Sequence, residues 1–188
     1  MIAKARMIPS SPECRLAGED DELDSAQPLA VFFIGGGSHL ERYSLPAFHA
    51  RYSGEYRQIL FLSVGLVDQA WMDSGVEGAE NFRGTEEAER LLAKTRLLLA
   101  PSIEFARQGG LRVAARVSIA VNEAEELEKL SLDSVKKYPT SSFFVSKLVL
   151  RRRSWLHWLL HSGTSDAIRK RLERRGLAVT VLPVVLPG

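Results

Sequence analysis

Five short apolar runs, each about the length of a strand, recur along this chain with helix-patterned stretches between them. That alternation restricts the fold more than any other feature. The runs are PLAVFFI, QILFLSVGLVD, LRVAARVSIAV, SSFFVSKLVL and LAVTVLPVV. Strands that alternate with helices argue for a parallel sheet covered on both faces, and right-handed crossovers leave few topologies. In the third run Val113, Ala115, Val117, Ile119 and Val121 alternate with Arg112, Arg116 and Ser118. Such alternation implies one wet face and predicts an edge strand. A strand order of 3-2-1-4-5 places the third strand at an edge. The expected fold is therefore a three-layer α/β domain on an open, parallel, five-stranded sheet. With 188 residues, 45% of them hydrophobic, the chain has enough apolar material for one such core.

Residues 1–28 carry few large apolar side chains, with Pro9, Pro12, Gly18 and Pro28 among charges. They read as a flexible leader or linker, and the folded domain is expected over 29–188. The first strand, Leu29 to Ile34, runs into three glycines, and the second spans Gln58 to about Gly65. Two starts compete for the helix between them. Ser38 with Glu41 makes a capping box, whereas Ser44 as N-cap would put Pro46 in the first turn, where a missing N–H costs little. The second start is preferred. Thr85 is expected to cap the longest helix, with Glu86 and Glu87 complementing its dipole and Gly109-Gly110 ending it. The helical spacing of its apolar residues continues through Pro101, which suggests a kink. Asn122 with Glu125 caps a helix reaching Tyr138, stopped by Pro139. The last strand follows Gly176.

The formal net charge of +2 is too small to imply nucleic-acid binding, and none is expected. Its distribution is uneven. Between Lys147 and Arg175 stand Lys147, Arg151, Arg152, Arg153, Arg169, Lys170, Arg171, Arg174 and Arg175, against only Asp166 and Glu173, while GEDDELD near the N-terminus is acidic. One-sided charge suits an anionic partner, although solvated helix faces account for it equally well. Cys14 is the single cysteine, so an internal disulfide and a cysteine zinc site are both excluded, and a reducing compartment fits. No apolar run approaches the roughly 18 to 20 residues of a membrane span, and the opening residues lack the apolar core of a secretory signal. The expectation is a soluble protein.

The segment IGGGS, with Gly35, Gly36, Gly37 and Ser38, could bring backbone N–H groups against a phosphate. It is neither a Walker sequence nor the spaced-glycine dinucleotide fingerprint, and three glycines also serve a tight turn. HSGTS, His161 to Ser165, opens the last helix. Ser162 or Thr164 can act as N-cap, and Ser162, Gly163 and Thr164 form a candidate anion site, with plain capping as the simpler account. His157 and His161 have helical metal-ligand spacing but neither an intervening Glu nor a third ligand, so no metal is expected. Ser63 and Asp68 flank the end of the second strand without a matching histidine and read as loop polarity. No catalytic constellation stands out, and no enzyme activity is expected. RRRSWLHWLLH places Arg151, Arg152 and Arg153 before Trp155 and Trp158. A basic, tryptophan-rich amphipathic helix can lie at a membrane surface, or it can pack its apolar arc on the domain core.

The segments VFFIGG, ILFLSVGLVD, FFVSKLVL and WLHWLLHSGTSDAIRKRLERRGLAVTVLPV together resemble the cytosolic C-terminal domain of bacterial amino acid permeases of the amino acid–polyamine–organocation superfamily. His161, Thr164 and Pro183 fall on family positions, and Ser162 stands where the family usually has Asn. The likeness covers roughly residues 29–186. It implies a universal stress protein-like, Rossmann-like fold with the 3-2-1-4-5 order. Stress proteins that bind ATP carry a glycine pattern after the fourth strand; here Ser146-Lys147 and the tryptophan segment replace it, and Gly163-Thr164 alone matches its end.

The resemblance implies a non-enzymatic regulatory or interaction domain related to permease tails. Its partner would be a membrane transporter or an anionic lipid surface, and its location cytoplasmic, peripheral at the inner face of the membrane. No cofactor is required by this reading. The competing reading is a soluble nucleotide-binding stress protein holding ATP or AMP on GGGS and SGTS. An exposed edge strand also makes a homodimer a candidate state.

Overall fold

The computed structural model describes residues 21–34, 41–67, 85–148 and 163–184. In chain order these form β1 (Leu29–Ile34), α1 (Glu41–Tyr52), β2 (Gln58–Leu66), α2 (Glu86–Gln108), β3 (Arg112–Ala120), α3 (Glu123–Lys137), β4 (Ser141–Leu148), α4 (Gly163–Arg174) and β5 (Val179–Val184). The strands make one sheet, β3-β2-β1-β4-β5, and every pairing is parallel. The expected order and helix alternation are both present.

Central β1 is buried at all six positions because helices cover both of its faces. Ala30, Phe32 and Ile34 join Leu45 and Phe48 of α1 and Leu99 and Ile103 of α2 in one cluster. Leu29, Val31 and Phe33 join Leu127 of α3 and Ile168 and Leu172 of α4 in the other. The first cluster is organised by aromatic rings. Phe144 stacks on Phe32 at 5.3 Å and meets Phe48, Tyr52 and Tyr56 edge-on at 5.0 to 5.6 Å. These are the arrangements that the ring quadrupole favours.

The predicted caps form. Thr85 accepts a hydrogen bond from Ala88 N at 3.2 Å, and Asn122 accepts one from Glu125 N at 3.3 Å. α2 continues through Pro101 to Gln108. Gly110, at φ 79°, takes the left-handed conformation that lets the chain leave α2 and enter β3. Strand β3 is at the edge and shows the alternating burial. Its second face is half-covered rather than wet, and Ser118 Oγ donates to Glu126 Oε1 of α3 at 2.6 Å.

Two expectations are corrected. Helix α1 is already formed at Glu41, with Pro46 inside it, so Ser44 is not its N-cap. Ser44 is fully buried and accepts a hydrogen bond from Ser146 Oγ of β4 at 2.7 Å. Burial of Leu45 and Phe48 outweighs the one helix hydrogen bond that Pro46 on the exposed side cannot make.

The leader is the second. Residues 21–28, assigned to it from sequence, are tied across the amino ends of the strands. The fully buried Gln58 accepts from Asp24 N at 2.8 Å and donates to Asp24 O at 2.7 Å and Gln27 O at 3.1 Å. Arg112 Nη2 donates to Gln27 Oε1, and Thr140 Oγ1 donates to Gln27 O. Asp21 takes both backbone groups of Val113, donating from its N at 2.8 Å and accepting on Oδ2 at 2.8 Å. Because Arg112 N bonds toward β2 at Arg57 O, the backbone N–H and C=O of Val113 point away from β2, while its side chain stays in the core. The start of the outer edge of β3 is therefore already paired within the chain.

Candidate functional site

In an open parallel sheet the ligand crevice lies outside the carboxyl ends of the strands, where neighbouring connections depart to opposite faces. Here that place is the junction of β1 and β4. The connection after β1 leads to α1 on one face, and the connection after β4 leads to α4 on the other.

Buried hydroxyls secure the described parts of this junction. Ser63, paired in register with Ile34, donates from Oγ to Ile34 O at 2.7 Å. The Ser146–Ser44 bond joins β4 to α1. Ile34 ends β1 before the glycine segment and Ser44 lies in the first turn of α1 after it, so a serine hydroxyl makes a buried hydrogen bond on each side of that segment. The reading of Ser63 as loop polarity is thus corrected: it is an interior residue of β2, 1% exposed, and Asp68 lies outside the described residues.

Of the proposed ligand contacts, Gly35, Gly36, Gly37, Ser38 and Ser162 lie outside the described residues. Gly163 and Thr164 form the first turn of α4. Thr164 is inside the helix and does not precede it as a cap, because the helical backbone begins one residue earlier. The same turn contains Asp166, whose carboxylate complements the helix dipole and lies 3.8 Å from Arg169 Nε. Arg151, Arg152, Arg153, Trp155 and Trp158 lie outside the described residues, as do His157 and His161. His49 is placed within 3.0 Å of Gly109 O by Nε2, joining α1 to the end of α2.

The basic stretch divides when its partners are counted. Arg169 meets Asp166 and Glu173. Arg171 and Arg175 both meet Glu128 of α3, at 2.9 and 2.7 Å. Lys170 and Arg174 have no carboxylate partner among the described residues, and with Glu173 they line a shallow surface hollow of about 460 Å³. Sequence distance concealed Glu128, which is 43 residues from Arg171 and sits in an otherwise ordinary amphipathic pattern.

Glu128 is 8% exposed. Hydrogen bonds from Arg175, and then Arg171, hold its carboxyl below the ordinary glutamate range against the opposing effect of burial. Beside it Ser131 and Ser134, both fully buried, return their hydroxyls to Leu127 O and Leu130 O of their own helix. Glu128 thus joins α3 to α4 and the residue that follows it.

A depressed folded-state pKa contributes stability that is present above the unfolded value, ~4.3, and lost as pH falls through the folded value. Glu128→Gln is therefore expected to cost about 1–2 kcal/mol near neutral pH, discounted for the exposed arginines. The gap between variant and parent should close below about pH 4. Urea denaturation across that range measures it, and a gap independent of pH would contradict that joining role.

No helix among the described residues is long and apolar enough to cross a membrane, and these residues hold no cluster of side chains suited to a metal ion.

No protein-family model and no curated protein matches this sequence. Among solved structures, the chain is similar to a universal stress protein family member from Burkholderia pseudomallei, at 12% identity and a TM-score of 0.48, over 88% of this chain and 100% of that one. It is also similar to a universal stress protein from Archaeoglobus fulgidus, at 12% identity and a TM-score of 0.45, over 84% and 98% of the two chains. Neither structure is a permease, and none of these findings supports the permease likeness. The all-parallel 3-2-1-4-5 order is a property of the chain's own strand pairing.

Proposed function

We propose that this chain is a non-enzymatic regulatory domain, related in kind to the cytosolic tails of amino acid permeases. It acts by binding a partner or ligand at the carboxyl edge of its sheet, on the cytoplasmic side of the membrane. The observation that carries this reading is the β1/β4 junction, where connections part to opposite faces and buried serines hold Ile34 and Ser44. A rigid frame beneath a loop is the usual basis of a binding site. In this reading Arg151, Arg152, Arg153, Trp155 and Trp158 meet an anionic lipid surface or a membrane transporter.

A second reading is a soluble nucleotide-binding stress protein. It is favoured by the start of α4 at Gly163, which directs a helix N-terminus from the carboxyl side of β4. There Gly35, Gly36, Gly37 and Ser38, with Ser162, Gly163 and Thr164, would hold phosphates.

Two measurements on the full chain separate the readings. Calorimetric titration with ATP, ADP and AMP tests the second: micromolar binding that disappears in Gly36→Asp/Thr164→Asp supports it, and no heat at millimolar nucleotide removes it. Co-flotation with phosphatidylglycerol vesicles tests the membrane-facing form of the first. Binding is expected in the parent chain and not in Trp155→Ala/Trp158→Ala, and equal flotation of the two would remove those tryptophans from the surface.

A further inference from the structure

The outer edge of β3 is paired at its start and open further along. Arg112 N bonds to Arg57 O, and Ala120 O accepts from Val67 N. Alternate residues of a strand in a parallel sheet turn their backbone groups to opposite sides. The even-numbered residues from 112 to 120 therefore serve β2, and Val113, Ala115, Val117 and Ile119 present theirs to the outer edge. Asp21 takes both groups of Val113, and Ala115 is also engaged. Val117 and Ile119 have no backbone partner on that edge among the described residues. A row of unpaired N–H and C=O groups is a template for a further strand.

The chain itself leads to this edge. Asp21 N donates to Val113 O at 2.8 Å, as a residue of an added strand would, and its carboxylate lies 3.7 Å from Arg107 Nε of α2. After Asp21 the chain passes inward under the strands, where Asp24 meets Gln58. The direction left to the residues before Asp21 is along the open length of β3, antiparallel to it. Seven residues of β3, 114–120, lie beyond Val113, and residues 14–20 are seven that contain no proline. The first proline met going back is Pro12, which has no N–H to give to a ladder.

We propose that the outer edge of β3 is a strand-docking surface and that residues 14–20 of this chain occupy it as a sixth, antiparallel strand. With Asp21 opposite Val113, Ala17 comes opposite Val117 and Arg15 opposite Ile119, and each exchanges N–H···O bonds with its partner. Asp20 comes opposite Ala114, between Arg112 and Arg116 on the same face, where unlike charges favour this register. The same register sets Cys14 against Ala120, at a position where the two strands share no hydrogen bonds and side chains are closest. An edge filled in this way is closed to a second copy of the chain. The inference does not depend on what binds at the β1/β4 junction.

The single native cysteine makes the register testable. In Ala120→Cys, a mild oxidant should join Cys14 to the introduced thiol within one chain, because facing Cα atoms there are about 4.5 Å apart. Mass spectrometry reads the loss of two hydrogens and the cross-linked peptide. Ala114→Cys is the control: its thiol would lie about 20 Å further along the strand and should stay reduced. No cross-link in the first variant, or equal cross-linking in both, overturns the proposal. A cross-link found only between chains also overturns it, since a second copy then fills the edge. Amide exchange in the unmodified chain covers the case in which neither variant folds. Val117 and Ile119 should exchange at least about tenfold more slowly than unpaired edge amides, at any protein concentration. Exchange at the unpaired rate, or protection that appears only at high concentration, overturns the proposal.

Discussion

Replacing Phe144 by alanine is expected to lower stability by about 4 kcal/mol, among the largest single-residue effects this fold should show. For a domain of this size the melting temperature should fall by about 12 °C. Phe144 is 1% exposed on β4, and its ring contacts Phe32, Phe48, Tyr52 and Tyr56. Removing it withdraws the shared partner of rings on β1, on α1 and just beyond α1, and leaves a cavity that a close-packed aromatic cluster cannot fill by small shifts. Phe144→Leu keeps most of the volume and should lose about half as much. Thermal melts followed by circular dichroism decide it. A loss under about 1 kcal/mol in the alanine variant would mean that the rings do not pack together.

The second large effect is expected at Gln58, where leucine substitution should cost about 3 kcal/mol, or about 9 °C in melting temperature. Leucine retains the bulk but cannot pair with Asp24 N, Asp24 O or Gln27 O, all of which Gln58 satisfies. Backbone polar groups left without partners beside a fully buried side chain lose more than the bonds themselves. The effect should also be local. Amide exchange at Asp24 is expected to accelerate, and residues 21–28 should become open to proteolysis, before the sheet itself unfolds. Unchanged exchange at Asp24 would contradict the anchoring role.

The candidate site was legible only in outline. Three glycines after an apolar strand point to a special loop, and strand alternation places that loop at a carboxyl edge. The serines that secure the frame were not legible. Ser63 reaches Ile34 across 29 residues and Ser146 reaches Ser44 across 102, and a serine within an apolar run has no local signature of its partner. Ser44 reads locally as a cap for the same reason: a serine two residues before a proline is a good local helix start, and only the neighbouring β4 makes it a buried interior residue.

What the sequence by itself determined is whatever depends on near neighbours. Apolar runs set the number and place of the strands, and alternation set the edge position of β3. Thr85 and Asn122 set two helix starts, because a cap reaches only three residues along its own chain. Tertiary structure alone decided the pairing of polar groups. Gln58 with the 21–28 segment, Glu128 with Arg171 and Arg175, and the serines at the β1/β4 junction join residues distant in the chain. Each is a polar group moved out of water by folding, and it must then take its partner from whatever the assembled layers bring within hydrogen-bond reach.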